Sequence, residues 1–142
     1  MLNAAPGTSV KLSDPTKVLY PELSYELVGA SYCVFNEIGF GMSEKLYQKA
    51  YEAELEKRKI PFQREKMVVQ MYDNRPLARY FLDFVVDDKI VVEIKVRARL
   101  GYVHIKQVLE YLKITGLKLA IIIYFTRDGI KYRRVLDAGV SV

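Results

Sequence analysis

The stretch that decides the fold runs from residue 81 to residue 96 and reads FLDFVVDDKIVVEIKV. It contains two apolar segments of the kind found in buried strands, joined by a polar turn at residues 87–89. Three ionisable side chains, those of Asp83, Glu93 and Lys95, interrupt the apolar segments. Because a charge in a buried strand is costly unless it is paired or bound to a metal ion, these side chains either face water or converge on a cation.

The spacing of these residues predicts a hairpin with a defined register. Side chains of a strand alternate between its two faces. Two sets are therefore expected on a common face, namely Phe81, Asp83 and Val85 on the first strand, and Val91, Glu93 and Lys95 on the second. Pairing Val85 with Val91 leaves a three-residue loop and places Asp83 opposite Glu93. Two opposed carboxylates repel each other unless a cation lies between them.

Carboxylate oxygens are ligands that suit Mg²⁺ or Mn²⁺. The chain has one His and one Cys, which excludes a zinc site built from those residues. A metal ion held by two carboxylates, with Lys95 near the bound water and the phosphate, matches the hydrolysis of phosphodiester bonds. The alternative is that Asp83 and Glu93 lie on a solvent-exposed face of the sheet and pair with Lys95 there.

A further carboxylate lies on the inward face of a helix predicted over residues 43–58. Glu44 shares that face with Tyr47, Gln48 and Tyr51, which follow it at helical spacing. A carboxylate on an aromatic stripe of this kind is unusual, which makes Glu44 a candidate site residue. The alternative is that Glu44 stabilises the helix dipole or caps the first turn.

Two polar residues on a later helix complete the set of candidates. Gln107 and Tyr111 are four residues apart and share one face of a helix predicted over residues 102–115. This pair could position a phosphate group or Lys95. The alternative is an ordinary pair on the surface of the helix.

The whole chain is predicted to form an α/β fold with helices packed on the faces of a sheet. The expected elements are helices at 21–38, 43–58 and 102–115, and strands at 62–72, 77–86, 90–96, 118–125 and 130–136. Residues 1–20 are expected to be an irregular N-terminal arm, and residues 21–142 a single domain. The net charge of +5 favours a polyanionic partner. The lone Cys33 and the absence of a signal peptide or a spanning apolar run favour a cytoplasmic location without membrane contact.

At this point the sequence resembles a known family. Residues 41–47, GMSEKLY, match the Gly-x-x-Glu-x-x-Tyr signature of the GxxExxY proteins, a branch of the PD-(D/E)XK nuclease superfamily. The resemblance extends from about Leu23 to Leu136. Its other motifs are Leu82-Asp83, Glu93-Ile94-Lys95, His104-x-x-Gln107-x-x-x-Tyr111-Leu112, and Gly116-Leu117-Lys118 before an apolar strand. The chain departs from the pattern at Leu82, where the signature has proline, but it retains every charged position.

The resemblance implies a restriction-endonuclease-like core, a central mixed β-sheet flanked by helices, in the order α-α-β-β-β-α-β-β. It implies that Asp83 and Glu93 are metal ligands, with the Ile94 carbonyl as a further ligand and Lys95 as the catalytic lysine. Glu44 matches a helix acid that reaches the metal through water. Gln107 and Tyr111 match a motif of RecB-like and Cas4-like nucleases. One cysteine cannot hold the iron–sulfur cluster of some relatives.

The sequence therefore predicts a hydrolase, a Mg²⁺- or Mn²⁺-dependent nuclease that acts on phosphodiester bonds, with DNA as the first-choice substrate. Arg97, Arg99 and Lys106 are expected to contact the phosphate backbone without reading the base sequence. The alternative is a non-catalytic nucleic-acid-binding or assembly subunit that retains the nuclease fold. The sequence is compatible both with a homodimer and with a complex that contains another protein.

Overall fold

The computed structural model describes residues 19–99 and 101–137. Most of the predicted N-terminal arm, residues 1–18, lies outside the described residues, as do Leu100 and residues 138–142. The division into an arm and one domain therefore stays a prediction.

Three helices and five strands form in the predicted order. They are α1 (Pro21–Ile38), α2 (Glu44–Lys57), β1 (Phe62–Tyr72), β2 (Arg75–Val86), β3 (Ile90–Lys95), α3 (Tyr102–Thr115), β4 (Leu119–Thr126) and β5 (Gly129–Leu136). The boundaries have local causes. Pro21 occupies the first turn of α1, where proline is tolerated, and Gly116 ends α3 with a positive φ of 77°. The α/β fold class is confirmed.

The five strands form one mixed sheet in the order β1-β2-β3-β4-β5. Neighbouring strands are antiparallel except for β3 and β4, which are parallel. Helix α3 connects these two parallel strands, as a crossover must. Strand β4, which lies between β3 and β5, is buried along its whole length because helices cover both faces of the sheet.

Two apolar layers hold the helices to the sheet. On one face α1 and α2 pack against side chains that include Phe84, Val92 and Ile121. On the other face α3 packs against a set that includes Val91 and Ile122. Alternation along β3 and β4 produces this division, since successive residues of each strand belong to opposite layers.

The predicted hairpin register is confirmed, but the predicted common face is wrong at one position. Val85 pairs with Val91, and the ladder between β2 and β3 ends at Phe84 and Val92. Leu82 packs in the same layer as Val85, so alternation breaks between them and Phe81 points away from that layer. The break lies at Asp83, opposite Glu65, whose φ is 48°; neither residue joins the ladder between β1 and β2.

The turn before β2 is shorter than the sequence predicts. Asp73 and Asn74 both have positive φ, 51° and 62°, and these two residues alone connect β1 to β2. Such a pair of left-handed residues suits a two-residue hairpin turn. Strand β2 therefore begins at Arg75 and includes Pro76. Proline is tolerated there because this part of β2 pairs on one side only within the described chain.

Candidate active site

The carboxylates of Asp83 and Glu93 lie where β2 and β3 separate. Asp83 accepts a hydrogen bond from the backbone N–H of Ile94 at 2.8 Å through Oδ2. Glu93 accepts one from the backbone N–H of Asp83 at 2.8 Å through Oε2. Each side chain thus bonds to the backbone of the opposite strand just beyond the last ladder pair. These reciprocal bonds hold the two carboxylates close to each other at the edge of the core.

The surroundings disfavour negative charge on both groups. Glu93 is buried, with 2% of its surface exposed. Burial, followed by the charge of Asp83, raises the pKa of Glu93 to about 8. The hydrogen bond from the Asp83 N–H and the charge of Lys95 offset only part of this rise. Burial also raises the pKa of Asp83, against the opposing effects of the Ile94 N–H and the Lys95 charge. A pair of this kind retains a proton near neutral pH unless a cation replaces it.

Lys95 follows the carboxylates on β3 and turns toward α3. Its Nζ donates a hydrogen bond to Oε1 of Gln107 at 3.4 Å, which joins strand and helix above the carboxylates. Within the described residues Lys95 forms no ion pair, although its charge acts on both Asp83 and Glu93. The alternative of an exposed carboxylate–lysine pair on the sheet surface is therefore wrong, because Glu93 is buried and Lys95 contacts Gln107 instead.

Tyr111 lies one helical turn after Gln107 and is buried beneath the same region. Burial raises its pKa above the ordinary range, and the negative charges of Glu93 and Asp83 raise it further. Its ring lies 5.7 Å from the ring of Tyr80 on β2. Tyr111 therefore stays a neutral phenol next to the carboxylate pair.

Glu44 lies at the rim of this arrangement. It is the first residue of α2 and is exposed, and its Oε1 accepts a hydrogen bond from the backbone N–H of Val96 at 3.4 Å. Tyr47, Gln48 and Tyr51 are buried as predicted, but the prediction that Glu44 shares their inward face is wrong, because Glu44 is exposed at the first turn of α2. The charge of Glu44 acts on both Asp83 and Glu93, so the helix end and the strand end face the same space.

The start of α2 is held in place by the contacts of Tyr47 with Gly39 and Phe125, which we call the clasp. The hydroxyl of Tyr47 donates to the carbonyl of Gly39 at 2.6 Å, and the ring of Tyr47 stacks on Phe125 at 4.1 Å. Gly41 has a φ of 114°, a conformation that side chains rarely adopt. The Ser43 hydroxyl accepts from the N–H of Leu46 as the helix cap. The glycine and tyrosine of the Gly-x-x-Glu-x-x-Tyr pattern thus determine where Glu44 sits.

The donor set fits a hard divalent cation in part. Asp83 and Glu93 each use one oxygen for a backbone hydrogen bond, so each has a second oxygen for a metal ion. Ile94, whose carbonyl is a predicted ligand, lies between Glu93 and Lys95. Among the described residues, however, no three His, Cys, Asp or Glu side chains are close enough together to hold a metal ion. Glu44 is therefore not part of a ready three-carboxylate set, and the structure brings together the pair alone.

The three predicted phosphate-contacting residues are all exposed. Arg97 and Arg99 follow β3 directly, and Lys106 lies in the first half of α3. The charge of Arg97 acts on His104 at the start of α3, which places this arginine near the lysine end of the site. Positive charge therefore surrounds the site on the side where β3 leaves the sheet.

A buried histidine beside the site was not among the predicted site residues. Nδ1 of His104 lies 3.1 Å from the hydroxyl of Tyr124, and 8% of the residue is exposed. Burial lowers the pKa of His104, and the charges of Lys95 and Arg97 lower it further, so the ring is neutral at pH 7. The sequence does show that His104 lies one helical turn before Gln107 on α3, and this spacing could have marked it as a candidate site residue. The contact with Tyr124 on β4 could not be predicted, because no local pattern links residues that are 20 positions apart.

The site lies where the ladder between β2 and β3 ends. A cleft of about 640 Å³ does exist elsewhere, between α1 and α2, lined by Cys33, Glu37 and Lys57 among others. None of the predicted site residues lines it.

Comparison with known proteins identifies the family. The model of the PD-(D/E)XK nuclease superfamily matches residues 21–135, and the chain therefore belongs to that superfamily. The superfamily is one of nucleases, enzymes that hydrolyse the phosphodiester bonds of nucleic acids. No match was found among curated proteins.

A solved structure supports the fold. The crystal structure of SSO0001 matches with a TM-score of 0.53 and 20% sequence identity, over 66% of this chain and 49% of that chain. The chain thus spans about half the length of that protein, and the likeness concerns the fold alone. In the described part of the chain, no helix has the length and apolar character needed to cross a membrane.

Proposed function

We propose that this protein is an active nuclease of the GxxExxY type, which hydrolyses phosphodiester bonds in DNA with Mg²⁺ or Mn²⁺. The observation that carries the proposal is the pair of buried carboxylates, Asp83 and Glu93, held together by bonds to each other's strand. Burial and mutual repulsion make this pair costly without a cation. Such an arrangement is typical of a functional site and has no evident benefit for stability.

Asp83 and Glu93 would hold the metal ion, with the Ile94 carbonyl as a further ligand and Glu44 reaching it through water. When bound, the ion supplies a more acidic water molecule and stabilises negative charge on the phosphate. Carboxylate and carbonyl oxygens are the ligands that Mg²⁺ and Mn²⁺ prefer.

When Asp83 and Glu93 bind the metal ion, the positive charge of Lys95 is still available for another group. Its ammonium group binds the attacking water or a phosphate oxygen, and Gln107 accepts one of its hydrogens and thereby fixes its direction. Tyr111 remains protonated and can donate a hydrogen bond toward the carboxylate pair. Arg97, Arg99 and Lys106 attract the phosphate backbone.

The proposal is tested with labelled single- and double-stranded DNA and RNA, incubated with Mg²⁺, Mn²⁺ or a chelator. Wild type should cleave DNA only with metal. Asp83→Asn should lower the cleavage rate about 100-fold or more, because the pair loses a charged ligand. Lys95→Ala should lower it about 100-fold as well.

Matched controls come from the turn of the same hairpin. Asp88 and Lys89 are exposed there, away from the carboxylate pair, so Asp88→Asn and Lys89→Ala should cleave like wild type. Cleavage that is equally fast in Asp83→Asn and Asp88→Asn would contradict the metal assignment. Binding of DNA without cleavage under every condition would favour the alternative, a non-catalytic binding or assembly subunit with the nuclease fold.

A further inference from the structure

The distal half of the hairpin formed by β1 and β2 extends past the end of β3. β1 and β2 remain paired up to Tyr72 and Arg75, whereas the ladder between β2 and β3 ends at Phe84 and Val92. We call residues 66–82 the hairpin arm. The arm begins directly beside the carboxylate pair, because Leu82 precedes Asp83.

One face of the arm is covered and the other is bare. Tyr80 and Leu82 belong to the layer packed on α3. Because side chains alternate along a strand, Phe81 and its direct cross-strand partner Met67 point to the opposite face. There Phe81 is 60% exposed and Met67 is 50% exposed. No helix of the described chain covers this pair.

Between Phe81 and the turn of the hairpin, the arm carries further exposed apolar side chains. Leu77 is 63% exposed at the register shift between β1 and β2, where alternation no longer assigns a face. The exposed Arg79, which pairs with Val69, lies on the same face as Phe81. Met71 on the other strand is 49% exposed. Large apolar side chains grouped in contact with water mark an interaction surface and not an ordinary solvent face.

Charge indicates which partner this surface fits. The arm carries three cations, Lys66, Arg75 and Arg79, and one anion, Asp73. Lys66 pairs with Leu82 and shares its covered face, whereas Arg79 lies on the bare face. In a symmetric contact through the bare face, the Arg79 side chains of two copies would lie in one interface and repel. A nucleic-acid strand instead brings negative phosphates to the cations and flat bases to the apolar side chains. An aromatic residue flanked by cations is the usual platform for unpaired bases.

The position of Phe81 close to Asp83 also favours a nucleic-acid strand as the partner. Phe81 is two residues from Asp83, a separation of about 7 Å along a strand. Phe81 points to the side of the sheet opposite Lys95 and Gln107, so the base that it could contact belongs to the part of the strand that leaves the carboxylate pair on that side. The face that bears Phe81 is the one that α2 covers farther along the sheet, and α2 carries Glu44.

We propose that Phe81 and Met67 form a platform on which an unpaired base stacks where the strand leaves the carboxylate pair, while Arg79 contacts the backbone. This inference rests on the proposed nuclease function and names its substrate class, a strand with unpaired bases. Duplex DNA hides its base faces in the stack and gains nothing from the platform.

The test measures binding in chelator, where no cleavage is expected, by fluorescence anisotropy. Three labelled ligands of equal length are compared: a single strand, the same strand with several abasic sites, and a blunt duplex. Wild type should bind the single strand about tenfold more tightly than the abasic strand, because one stacked base contributes about that factor. Phe81→Ala should lose this preference and bind the abasic strand like wild type. Phe81→Tyr should restore it.

The matched control is Tyr25→Ala, an exposed aromatic residue on α1 near the β5 edge of the sheet, which should bind all three ligands like wild type. Since Phe81 is exposed, the Ala variant should keep its thermal midpoint. Equal losses for the single and abasic strands, or no loss at all, would overturn the platform. A change in oligomeric state by light scattering with unchanged DNA affinity would also overturn it and assign the face to self-association. Loss of base preference in Phe81→Ala, together with no metal-dependent cleavage by wild type, would contradict the proposed function and leave the platform in place.

Discussion

Glu93 has two opposing roles at the scale of the residue. The side chain is buried, lies next to Asp83, and accepts a hydrogen bond from the opposite strand. Its bond helps to end the hairpin ladder in a defined geometry, whereas its charge opposes folding when no cation is present. A neutral glutamine could make the same bond, so the carboxylate contributes something that the fold does not need.

The raised pKa of Glu93 predicts how stability depends on pH in chelator. The folded protein keeps the Glu93 proton up to a pH of about 8, whereas the unfolded chain releases it near the ordinary glutamate pKa. The folded state therefore binds more protons in between, and the free energy of unfolding should fall as pH rises from 5 to 8. The expected fall is on the order of 3 to 5 kcal/mol, measured by urea denaturation.

Two variants isolate this effect. Glu93→Gln has no proton to retain and should show a much smaller fall, while Glu37→Gln, which removes an exposed carboxylate on α1, should behave like wild type. A free energy of unfolding in wild type that stays constant from pH 5 to pH 8 would contradict the burial of an uncompensated Glu93.

At the scale of the element, the start of α2 depends on one tyrosine. Tyr47→Phe keeps the stacked ring on Phe125 but loses the hydrogen bond to Gly39. The free energy of unfolding should decrease by about 1 kcal/mol in urea denaturation. Because the clasp holds the helix end that bears Glu44, cleavage should also slow several-fold.

Tyr51→Phe is the matched comparison within the same helix. It removes a hydrogen bond of similar length, 2.7 Å, from Tyr51 to the carbonyl of Leu27, one turn farther from the site. Tyr51→Phe should lower the free energy of unfolding by a similar amount yet leave the cleavage rate of the folded protein unchanged. Equal slowing in both variants would indicate that the clasp has no particular influence on Glu44.

The hairpin shows where prediction from sequence succeeds and where it stops. Apolar periodicity and turn length suffice to predict that Val85 pairs with Val91, since one register alone keeps the apolar residues together. The break in alternation at Asp83 was not predictable in this way. It depends on Glu65 of the neighbouring strand, which adopts a left-handed conformation that no local pattern marks. Phe81 consequently points to a face different from the one that strict alternation assigns.

The sequence names candidate site residues one by one, but it does not predict how they are arranged. Periodicity brings Gln107 and Tyr111 to the face of α3 that meets the sheet, and the structure agrees. The sequence does not reveal that Glu44 remains at the rim, bonded to Val96, because that depends on how far α2 extends beyond the end of β3. The burial of His104 against Tyr124 likewise arises from packing between distant segments.

At the scale of the whole molecule, the net charge of +5 predicts how DNA binding depends on salt. Each phosphate contact releases counterions, so the affinity falls steeply with salt concentration. Arg97→Ala and Lys106→Ala should each weaken binding of all DNA sequences to a similar degree and lower the log–log salt slope by about 1. Anisotropy titrations in chelator at several salt concentrations measure both quantities.

Lys57→Ala is the control, because Lys57 ends α2 about 20 Å along the helix from Glu44. It should leave the salt slope unchanged. A slope reduced as much by Lys57→Ala as by Arg97→Ala would show that binding reflects overall charge and not a track of cations beside the site.

The central claim is that Asp83 and Glu93 bind a divalent cation, and calorimetric titration of Mn²⁺ into the metal-free protein at pH 7 tests it most directly. Titrations in two buffers of different ionisation enthalpy also count the protons released. We predict one Mn²⁺ per chain and the release of about one proton, because Glu93 must ionise to bind metal. Glu93→Gln should bind at least tenfold more weakly and release fewer protons. Wild type that binds no Mn²⁺, or Glu93→Gln that binds it as tightly and with the same proton release, would contradict the claim.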